Sequence, residues 1–428
     1  MKHVLMVTFS WPPRGGTGGW RPLKFAKYLP RYGWQPAVVA ATGWGSLDRR
    51  WLPPESTPEC RAIGVPPWGE MTVARSLSQL LSPLLSALGT TRADFEETLC
   101  WRTRSWLDFP DPGTGFNRWI LPMAFAAARE ARRRRYDAIY VTSPPDGMAL
   151  AAGILARLTL RPVVIDFRDP WTLNFQDFYH GFARRLSDVL EGWSVRPAAR
   201  LITVTGHQAR DLARLYPAAA ARIRTIPNGF DHEDMIHGPR VPDGRCVVTL
   251  MGTSYEDFRH VLQAIRLAAA ADADFSRLFR FRWIGAKPSA ADQARQLGVE
   301  ANVELLDRQP HDEALRLAAR SDALWLEVVL QPNAEYVHCS KAFEYLGLER
   351  PIIGTVPRSS ASWALVAPVG AERLIESRDP AAIARLFADV FADWKAGRLQ
   401  VRSNAEYVSR FRRDVLTGQL AAVLDEVA

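Results

Sequence analysis

Short apolar segments alternate with helical segments along most of this chain, and this alternation limits the possible folds more than any other feature. In the first half the apolar segments are HVLMVTF, QPAVVAA, DAIYVTS, PVVIDF and RLITVT. In the second half they are CVVTLMG, RFRWIGA, VELLD, ALWLEVV and PIIGTV. Such near-continuous apolar runs are typical of parallel strands that helices cover on both faces. The sequence therefore predicts an α/β protein with two doubly wound, Rossmann-like domains.

The length of the chain and one change in composition predict where these domains meet. At 428 residues the chain exceeds the size at which a single hydrophobic core usually stops growing. A stretch rich in Pro, Gly and Asp near residues 230–244 is typical of a domain junction. We predict an N-terminal domain over residues 1–234, with a Pro- and Trp-rich insertion at about 43–122, and a C-terminal domain over 235–402. Residues 403–428 are predicted to form a helix that packs back on the N-terminal domain.

The positive charge of the chain is concentrated in the insertion and the segment after it. The formal net charge is +8, and eight arginines against three acidic residues lie between Trp101 and Arg135. The region also contains several tryptophans, and Trp beside Arg suits a membrane interface. Contact with a membrane, or with a lipid-linked or amphipathic acceptor, is one interpretation, and a solvated helix end is the other. No recognition motif accompanies the charge, so nucleic acid is not an expected partner.

The cysteines, histidines and apolar runs favour a cytoplasmic protein without a metal site. The cysteines are scattered and show no metal-binding spacing. The histidines show no HxxxH or HxH spacing, and the DAD at Asp272–Asp274 follows an Ala-rich helix, where a solvated end is expected. The opening MKHVLMVTFSWPP is too short in its apolar part for a signal peptide, and no run reaches the length of a membrane span. We expect a cytoplasmic location, with peripheral contact to the inner face of the cell membrane as a further possibility.

A glycine-rich turn, WPPRGGTGGWR, lies between the first predicted strand and the first helix. Glycines there let backbone N–H groups approach an anion at the helix N-terminus. No register of these glycines gives G-x-G-x-x-G, and no acidic residue ends the second strand, so a dinucleotide cofactor is not expected. The turn is interpreted as a phosphate-approach loop, with a simple flexible turn as the alternative.

The segment SKAFEYLGLERPIIG, residues 340–354, combines a short helix with a following strand. With Ser340 as the N-cap, Lys341 and Glu344 lie on one face of the helix, one turn apart. A lysine near free N–H groups favours phosphate, and a carboxylate accepts hydrogen bonds from two vicinal ribose hydroxyls. The segment follows ALWLEVV, at the strand end where open α/β sheets bind ligands. An ordinary surface pair at i,i+3 is the alternative interpretation.

Several motifs together resemble glycosyltransferase family 4, which has the GT-B fold. They are IPNGFD, SKAFEYLGLERPIIG, the GGTGGWR turn, PDPGTGF, DFRDPW and MGTSYEDF. The order of the predicted strands also resembles that of the family. The resemblance implies two Rossmann-like domains that face each other across a cleft. It also implies transfer of a sugar from a nucleotide diphosphate sugar to an acceptor hydroxyl, with retention and without a metal or other cofactor. The family context suggests cell-surface polysaccharide or glycolipid biosynthesis.

The same resemblance assigns roles to individual residues. It implies that Glu344 binds the donor ribose. It also implies that Lys341, together with the backbone near Ser340, binds the donor diphosphate. The remaining donor-binding positions that it implies are Gly15 and Gly16 in the Gly-rich turn, Gly252 and Thr253 after the first strand of the second domain, Arg259, and Leu306 and Asp307 where the nucleobase loop begins.

The chain departs from the family pattern at positions that bear on catalysis. Tyr336 stands where the family often has a second Glu, and Ser143 stands where it often has a His. The usual Arg and Lys pair after the MG strand is missing, which leaves Arg259 as the nearest candidate. Asp166, Arg168 and Asp169 follow an apolar strand and are the candidate catalytic residues on the acceptor side. A structural Arg–carboxylate pair that fixes a loop is the alternative for them.

Two other functions fit the same architecture. A sugar-nucleotide 2-epimerase would need acid and base groups in the cleft and would change its substrate without an acceptor. A non-catalytic partner subunit would bind the nucleotide sugar and never turn it over, which the missing Arg, Lys and His make credible.

Overall fold

The computed structural model describes residues 1–12, 17–42, 61–66, 116–173, 181–236, 244–252, 258–328, 334–336, 338–402 and 404–428. The chain divides into two compact units. The first comprises residues 1–49, 55–226 and 417–428, and the second comprises residues 50–54 and 227–416. Most of the predicted insertion at about 43–122 lies outside the described residues.

A parallel sheet of seven strands, in the order β3-β2-β1-β4-β5-β6-β7, forms the centre of the first unit. The strands are β1 (Lys2–Thr8), β2 (Trp34–Ala41), β3 (Arg61–Val65), β4 (Ala138–Ser143), β5 (Val163–Phe167), β6 (Arg200–Thr203) and β7 (Ile223–Thr225). The order reverses between β1 and β4, which is the doubly wound arrangement. The short strands β3 and β7 at the two edges were not among the predicted strands.

Helices follow the strands of the first unit and cover the sheet. They are α1 (Trp20–Tyr28), α2 (Ile120–Arg133), α3 (Gly147–Leu158), α4 (Gly181–Val195) and α5 (Gly206–Leu215). Helix α5 begins with a cap, because the Thr205 side chain accepts a hydrogen bond from the N–H of Gln208. Strands β1, β4 and β5 are buried on both faces, apart from the first two residues of β1, as their apolar sequences predict.

The second unit has a parallel sheet of six strands, in the order β10-β9-β8-β11-β12-β13. The strands are β8 (Cys246–Met251), β9 (Phe279–Ile284), β10 (Val303–Leu306), β11 (Ala323–Glu327), β12 (Ile352–Thr355) and β13 (Leu374–Ile375). The helices are α6 (Arg259–Ala271), α7 (Ala273–Leu278), α8 (Ser289–Leu297), α9 (His311–Ala319), α10 (Ser340–Leu348), α11 (Ala361–Gly370), α12 (Pro380–Lys395), α13 (Ala405–Ser409) and α14 (Arg413–Asp425). All strands of this sheet except the two-residue edge strand β13 were predicted. The α/β class with two doubly wound sheets is therefore confirmed. Helix α14 begins in this unit, and its residues from Thr417 onward belong to the first unit.

The C-terminal residues, 417–428, belong to the first unit. Leu420 and Leu424 of α14 are fully buried. Lys2 at the start of β1 pairs with Asp425 at 2.8 Å. Gly418 lies so close to Tyr32 that an added Cβ would approach its ring to 2.9 Å. Apolar contact and close packing therefore hold the end of the chain to the first sheet.

Within the described parts of the chain, no helix has the length and apolar character needed to cross a membrane.

Candidate functional site

The first group of candidate residues lies at the carboxyl ends of the second sheet, where helix α10 begins. The N-cap of α10 is Cys339, whose backbone is extended and whose carbonyl accepts the N–H of Ala342 at 3.1 Å. The N–H of Cys339 is itself bound by Ser362 Oγ at 3.0 Å, which fixes the start of the helix one residue earlier than expected. The prediction of Ser340 as the cap is therefore wrong by one residue, and Ser340 is the first, exposed residue of the helix.

Lys341 lies beside the turn that follows β8. A Cβ added to Gly252 would be 3.8 Å from Lys341 Nζ, and Gly252 has a φ of +94°, which favours glycine. The N–H of Gly252 donates to Ile284 O, and its carbonyl accepts from Trp283 Nε1. Gly252 therefore leaves room beside the ammonium group, while its own backbone groups are hydrogen-bonded to β9. A cation beside a glycine at the carboxyl end of a strand is suited to an anionic ligand.

Glu344 lies one turn further along α10, and its side chain is paired. Glu344 Oε1 is 2.8 Å from His311 Nε2, and the two side chains are 26% and 22% exposed. The next residue, Tyr345, is buried and accepts a hydrogen bond from the N–H of Met251 at 3.0 Å, which ties α10 to β8. Sequence reasoning missed His311, because a contact between residues so far apart in the chain leaves no local pattern.

The remaining predicted donor-binding residues in this unit lie at the ends of other strands. Leu306 ends β10, and its carbonyl accepts N–H groups from both Gly285 and Ala286. Asp307 follows it and is exposed. Arg259 is exposed and is the first residue of α6. These residues share the carboxyl edge of the sheet with Lys341 and Glu344, where ligands bind in open α/β sheets.

A buried carboxylate at the end of β11 supports the start of α6. Glu327 Oε1 lies 3.1 Å from His260 Nε2 and 2.8 Å from Arg378 Nη2, and the Glu327 side chain is 7% exposed. Burial acts to raise the pKa of Glu327, but the hydrogen bond and charge of His260 and the charge of Arg378 outweigh it and lower the pKa. The carboxylate thus fixes His260, next to Arg259. No sequence motif indicated this cluster.

A second group of candidate residues follows β5 in the first unit. Asp166 is fully buried and accepts two hydrogen bonds from Arg21 of α1, at 2.7 and 3.0 Å, and a third from the Tyr140 hydroxyl. Arg21 also donates to Ile226 O at 2.9 Å. Burial, together with the Asp166 charge, raises the pKa of Tyr140 well above its usual value. These contacts hold β5 against α1.

Arg168 is held by backbone carbonyls. Its guanidinium donates to Gly18 O at 2.8 Å and Pro144 O at 2.7 Å. A Cβ on Gly18 would lie 2.9 Å from Arg168 Nη1, so a side chain here would displace the guanidinium from its present position. Burial lowers the pKa of Arg168. Asp169 is the exposed residue of the predicted catalytic set, Asp166, Arg168 and Asp169, and desolvation of its carboxyl by the surrounding atoms raises its pKa.

The segment after Asp169 is anchored by a second buried carboxylate. Glu191 of α4 accepts hydrogen bonds from the hydroxyl of Thr172 and, at 3.1 Å, from the hydroxyl of Tyr216. Burial raises the pKa of Glu191 to about 7. We define residues Asp166–Thr172 as the acceptor-side loop, which is thus held by Arg21 at one end and Glu191 at the other.

Three predicted donor-binding residues, Gly15, Gly16 and Thr253, lie outside the described residues. Ser143, which stands at the expected histidine position, is buried, and its hydroxyl donates to Pro145 O at 3.2 Å. In the part of the chain that the structure covers, no group of three or more His, Cys, Asp or Glu side chains could hold a metal ion.

Residues 87–234 match the family model described as Glycosyltransferase Family 4. The match confirms the resemblance that the motifs indicated. It lies almost wholly in the first unit, so Lys341 and Glu344 are outside the matched range. Among curated proteins, none matches this sequence.

Solved structures of similar fold cover nearly the whole chain. HepE from Anabaena, in complex with UDP, has a TM-score of 0.63 at 16% identity over 100% of both chains. Sucrose-phosphate synthase from Thermosynechococcus elongatus has a TM-score of 0.66 at 13% identity, over 100% of this chain and 99% of the other. A protein described as a UDP-N-acetylglucosamine 2-epimerase, from Listeria monocytogenes, has a TM-score of 0.55 at 10% identity, over 96% of this chain and 95% of the other. At these identities the similarity establishes the fold, which is GT-B.

Proposed function

We propose that this GT-B protein, part of which matches Glycosyltransferase Family 4, transfers a sugar from a UDP-sugar to an acceptor hydroxyl. The observation that carries the proposal is the arrangement at the start of α10. There the Lys341 ammonium lies beside Gly252 at the end of β8, and Glu344 follows one turn along the same helix. UDP is the donor nucleotide of choice because HepE, a structure of the same fold, is known in complex with UDP and with UDP and glucose.

In the proposed reaction the second unit binds the donor and stabilises the leaving group. Charge develops on the diphosphate as its bond to the anomeric carbon breaks, and the Lys341 ammonium, with Arg259 at the N-terminus of α6, counters it. The carboxylate of Glu344 accepts hydrogen bonds from the ribose hydroxyls. We further propose that the sugar is transferred with retention, without a metal or other cofactor, and that the acceptor binds in the first unit near Asp169.

The donor site is tested by calorimetric titration of UDP, GDP, ADP and TDP into wild type and Glu344→Ala. We expect UDP alone to bind tightly, and the variant to bind it about 10- to 100-fold more weakly, because it loses charge-assisted hydrogen bonds to the ribose. Glu300→Ala, at an exposed acidic residue of the same unit, is the control and should bind UDP like wild type. Unchanged UDP affinity in Glu344→Ala would refute the site assignment.

A 2-epimerase is the second candidate, because a protein described as such an enzyme shares the fold. Incubation with UDP-sugars in the absence of acceptor separates the two, since an epimerase changes the sugar and a transferase does not. A partner subunit would bind UDP and give neither product, even with a crude lipid acceptor present.

The outer face of helix α2 supports a proposal about the acceptor. Leu121 and Phe125 are exposed on this face, and Phe125 is 56% exposed. Arg132, Arg133 and Arg135, at the end of the helix, are exposed as well. Exposed apolar side chains beside arginines suit the surface of an anionic membrane. We propose that the protein contacts the inner face of the cell membrane here, and that its acceptor is lipid-linked, in polysaccharide or glycolipid assembly.

Membrane contact is tested by replacing Arg132, Arg133 and Arg135 with Gln. Arg134 is kept, because it lies 3.6 Å from the buried carboxylate of Glu130. Each arginine near an anionic surface contributes about 1 kcal/mol, so binding to phosphatidylglycerol vesicles should fall on the order of 100-fold.

The control for this experiment is the triple variant Arg320→Gln, Arg385→Gln and Arg402→Gln. It removes the same charge from exposed sites in the second unit and should leave vesicle binding unchanged. Equal losses in the two triple variants would mean that net charge alone drives binding. No binding of wild type to the vesicles would exclude the membrane proposal.

A further inference from the structure

The ribose-binding carboxylate proposed above has a partner that the motifs did not indicate. Glu344 Oε1 is 2.8 Å from His311 Nε2, while both side chains remain partly accessible, at 26% and 22%. A carboxylate has two oxygens, and a hydrogen bond to one of them restricts the rotation of the whole group. Contact with His311 therefore restricts the directions in which Glu344 Oε2 can point.

His311 also ends the segment proposed to contact the nucleobase. This segment starts at Leu306, whose carbonyl accepts the N–H groups of Gly285 and Ala286. It runs through Asp307 to Pro310, the N-cap of α9, and His311 is the first residue of that helix. The segment is thus fixed to β9 at one end, and the His311–Glu344 contact fixes it to α10 at the other.

The acidic neighbours of His311 on α9 are engaged with a different partner. Asp312 and Glu313 both pair with Arg316, at 2.7 and 2.8 Å. These pairs lie within one helix and are largely exposed, so they contribute little to the orientation of Glu344. The contact from His311 to Glu344 joins two helices, so it bears directly on the orientation of Glu344.

We propose that His311 is a positioning residue for donor recognition: by holding Glu344 Oε1 it aims Oε2 at the ribose hydroxyls and joins the nucleobase segment to the ribose site. The inference rests on the proposed donor function. It makes the protein selective for a ribonucleotide, because the benefit of the oriented carboxylate exists only when both hydroxyls are present.

The test compares UDP with 2′,3′-dideoxy-UDP in calorimetric titrations of wild type, His311→Ala, His311→Gln and Glu344→Ala. His311→Ala should weaken UDP binding about fivefold to tenfold, from the loss of one hydrogen bond to a charged group, and dideoxy-UDP binding by less than about twofold. His311→Gln places an amide N–H near the position of Nε2 and should recover most of the UDP affinity. In the Glu344→Ala background, replacing His311 should have no further effect on the affinity for UDP.

The possible outcomes separate this inference from the proposed function. If Glu344→Ala weakens UDP binding but His311→Ala does not, the donor site stands and the role of His311 is refuted. If His311→Ala weakens UDP and dideoxy-UDP equally, the residue supports the fold of the site and does not orient the carboxylate. If Glu344→Ala itself has no effect, the proposed donor site is wrong, and His311 has no ribose-binding partner to position.

Discussion

Replacing Asp166 with alanine is expected to lower the thermal midpoint of the first unit by about 6–20 °C. The reason is the buried guanidinium of Arg21, which would lose its carboxylate partner, and breaking a buried pair in this way costs about 3–5 kcal/mol. Arg21 is 1% exposed and Asp166 is 0% exposed, so water cannot replace the lost contacts. The measurement is calorimetric unfolding of the full chain, with hydrogen exchange on peptides of β4 and β5 to locate the effect.

The control is Asp188→Ala, which removes one member of an exposed pair on α4. Asp188 pairs with Arg184 at 3.1 Å with 50% of its side chain exposed, and such pairs contribute about 0–1 kcal/mol. A double variant, Asp166→Leu with Arg21→Met, removes both charges and should be more stable than Asp166→Ala alone. If Asp166→Ala unfolds at the wild-type temperature, the pair does not hold β5 to α1.

Replacing Lys341 with alanine is expected to reduce kcat on the order of 10²–10³-fold, the usual effect of removing one group that stabilises developing transition-state charge. The ammonium group lies beside Gly252, where the proposed diphosphate would leave. UDP affinity should fall much less than kcat, because the leaving group gains charge only as the bond breaks. The measurement is turnover of the UDP-sugar, with Kd for UDP determined in parallel.

Lys395→Ala is the matched control, because Lys395 lies in the same unit and pairs with the partly exposed Asp274 at 2.5 Å. Its turnover should equal that of wild type. A Lys341→Ala variant with unchanged kcat and weakened UDP binding would limit Lys341 to ground-state binding and contradict its proposed role in the reaction.

The sequence predicted the central strands well and the edge strands poorly. Strands such as β1, β4 and β5 are buried on both faces, so their sequences are continuous apolar runs that stand out from the helices. The edge strand β3 (Arg61–Val65) is mostly exposed, and β13 is two residues long. Neither carries enough apolar residues to form a periodic signal, and the pairing with a neighbouring strand determines their structure.

The candidate site was predictable where one element carries it. Lys341 and Glu344 lie on one helix turn, and helical geometry places them on the same face independently of the tertiary structure. The partners of site residues were not predictable, because Arg21 reaches Asp166 and His311 reaches Glu344 only once the sheets have formed. The sequence suggested a structural Arg–carboxylate pair around Arg168, whereas the carboxylate of Asp166 is paired with Arg21 of a distant helix.

The two anchors of the acceptor-side loop bear on the entropy of substrate binding. Ordering the backbone of one residue costs about 1–2 kcal/mol at room temperature, and a loop that becomes ordered only on binding subtracts that cost from the affinity. Here Asp166 is fixed by Arg21 and Thr172 by Glu191, so the residues between them, including Asp169, are ordered during folding. Acceptors that contact this loop would therefore bind without the entropic cost of ordering it. Differences in affinity among them would come from the contacts that each one makes.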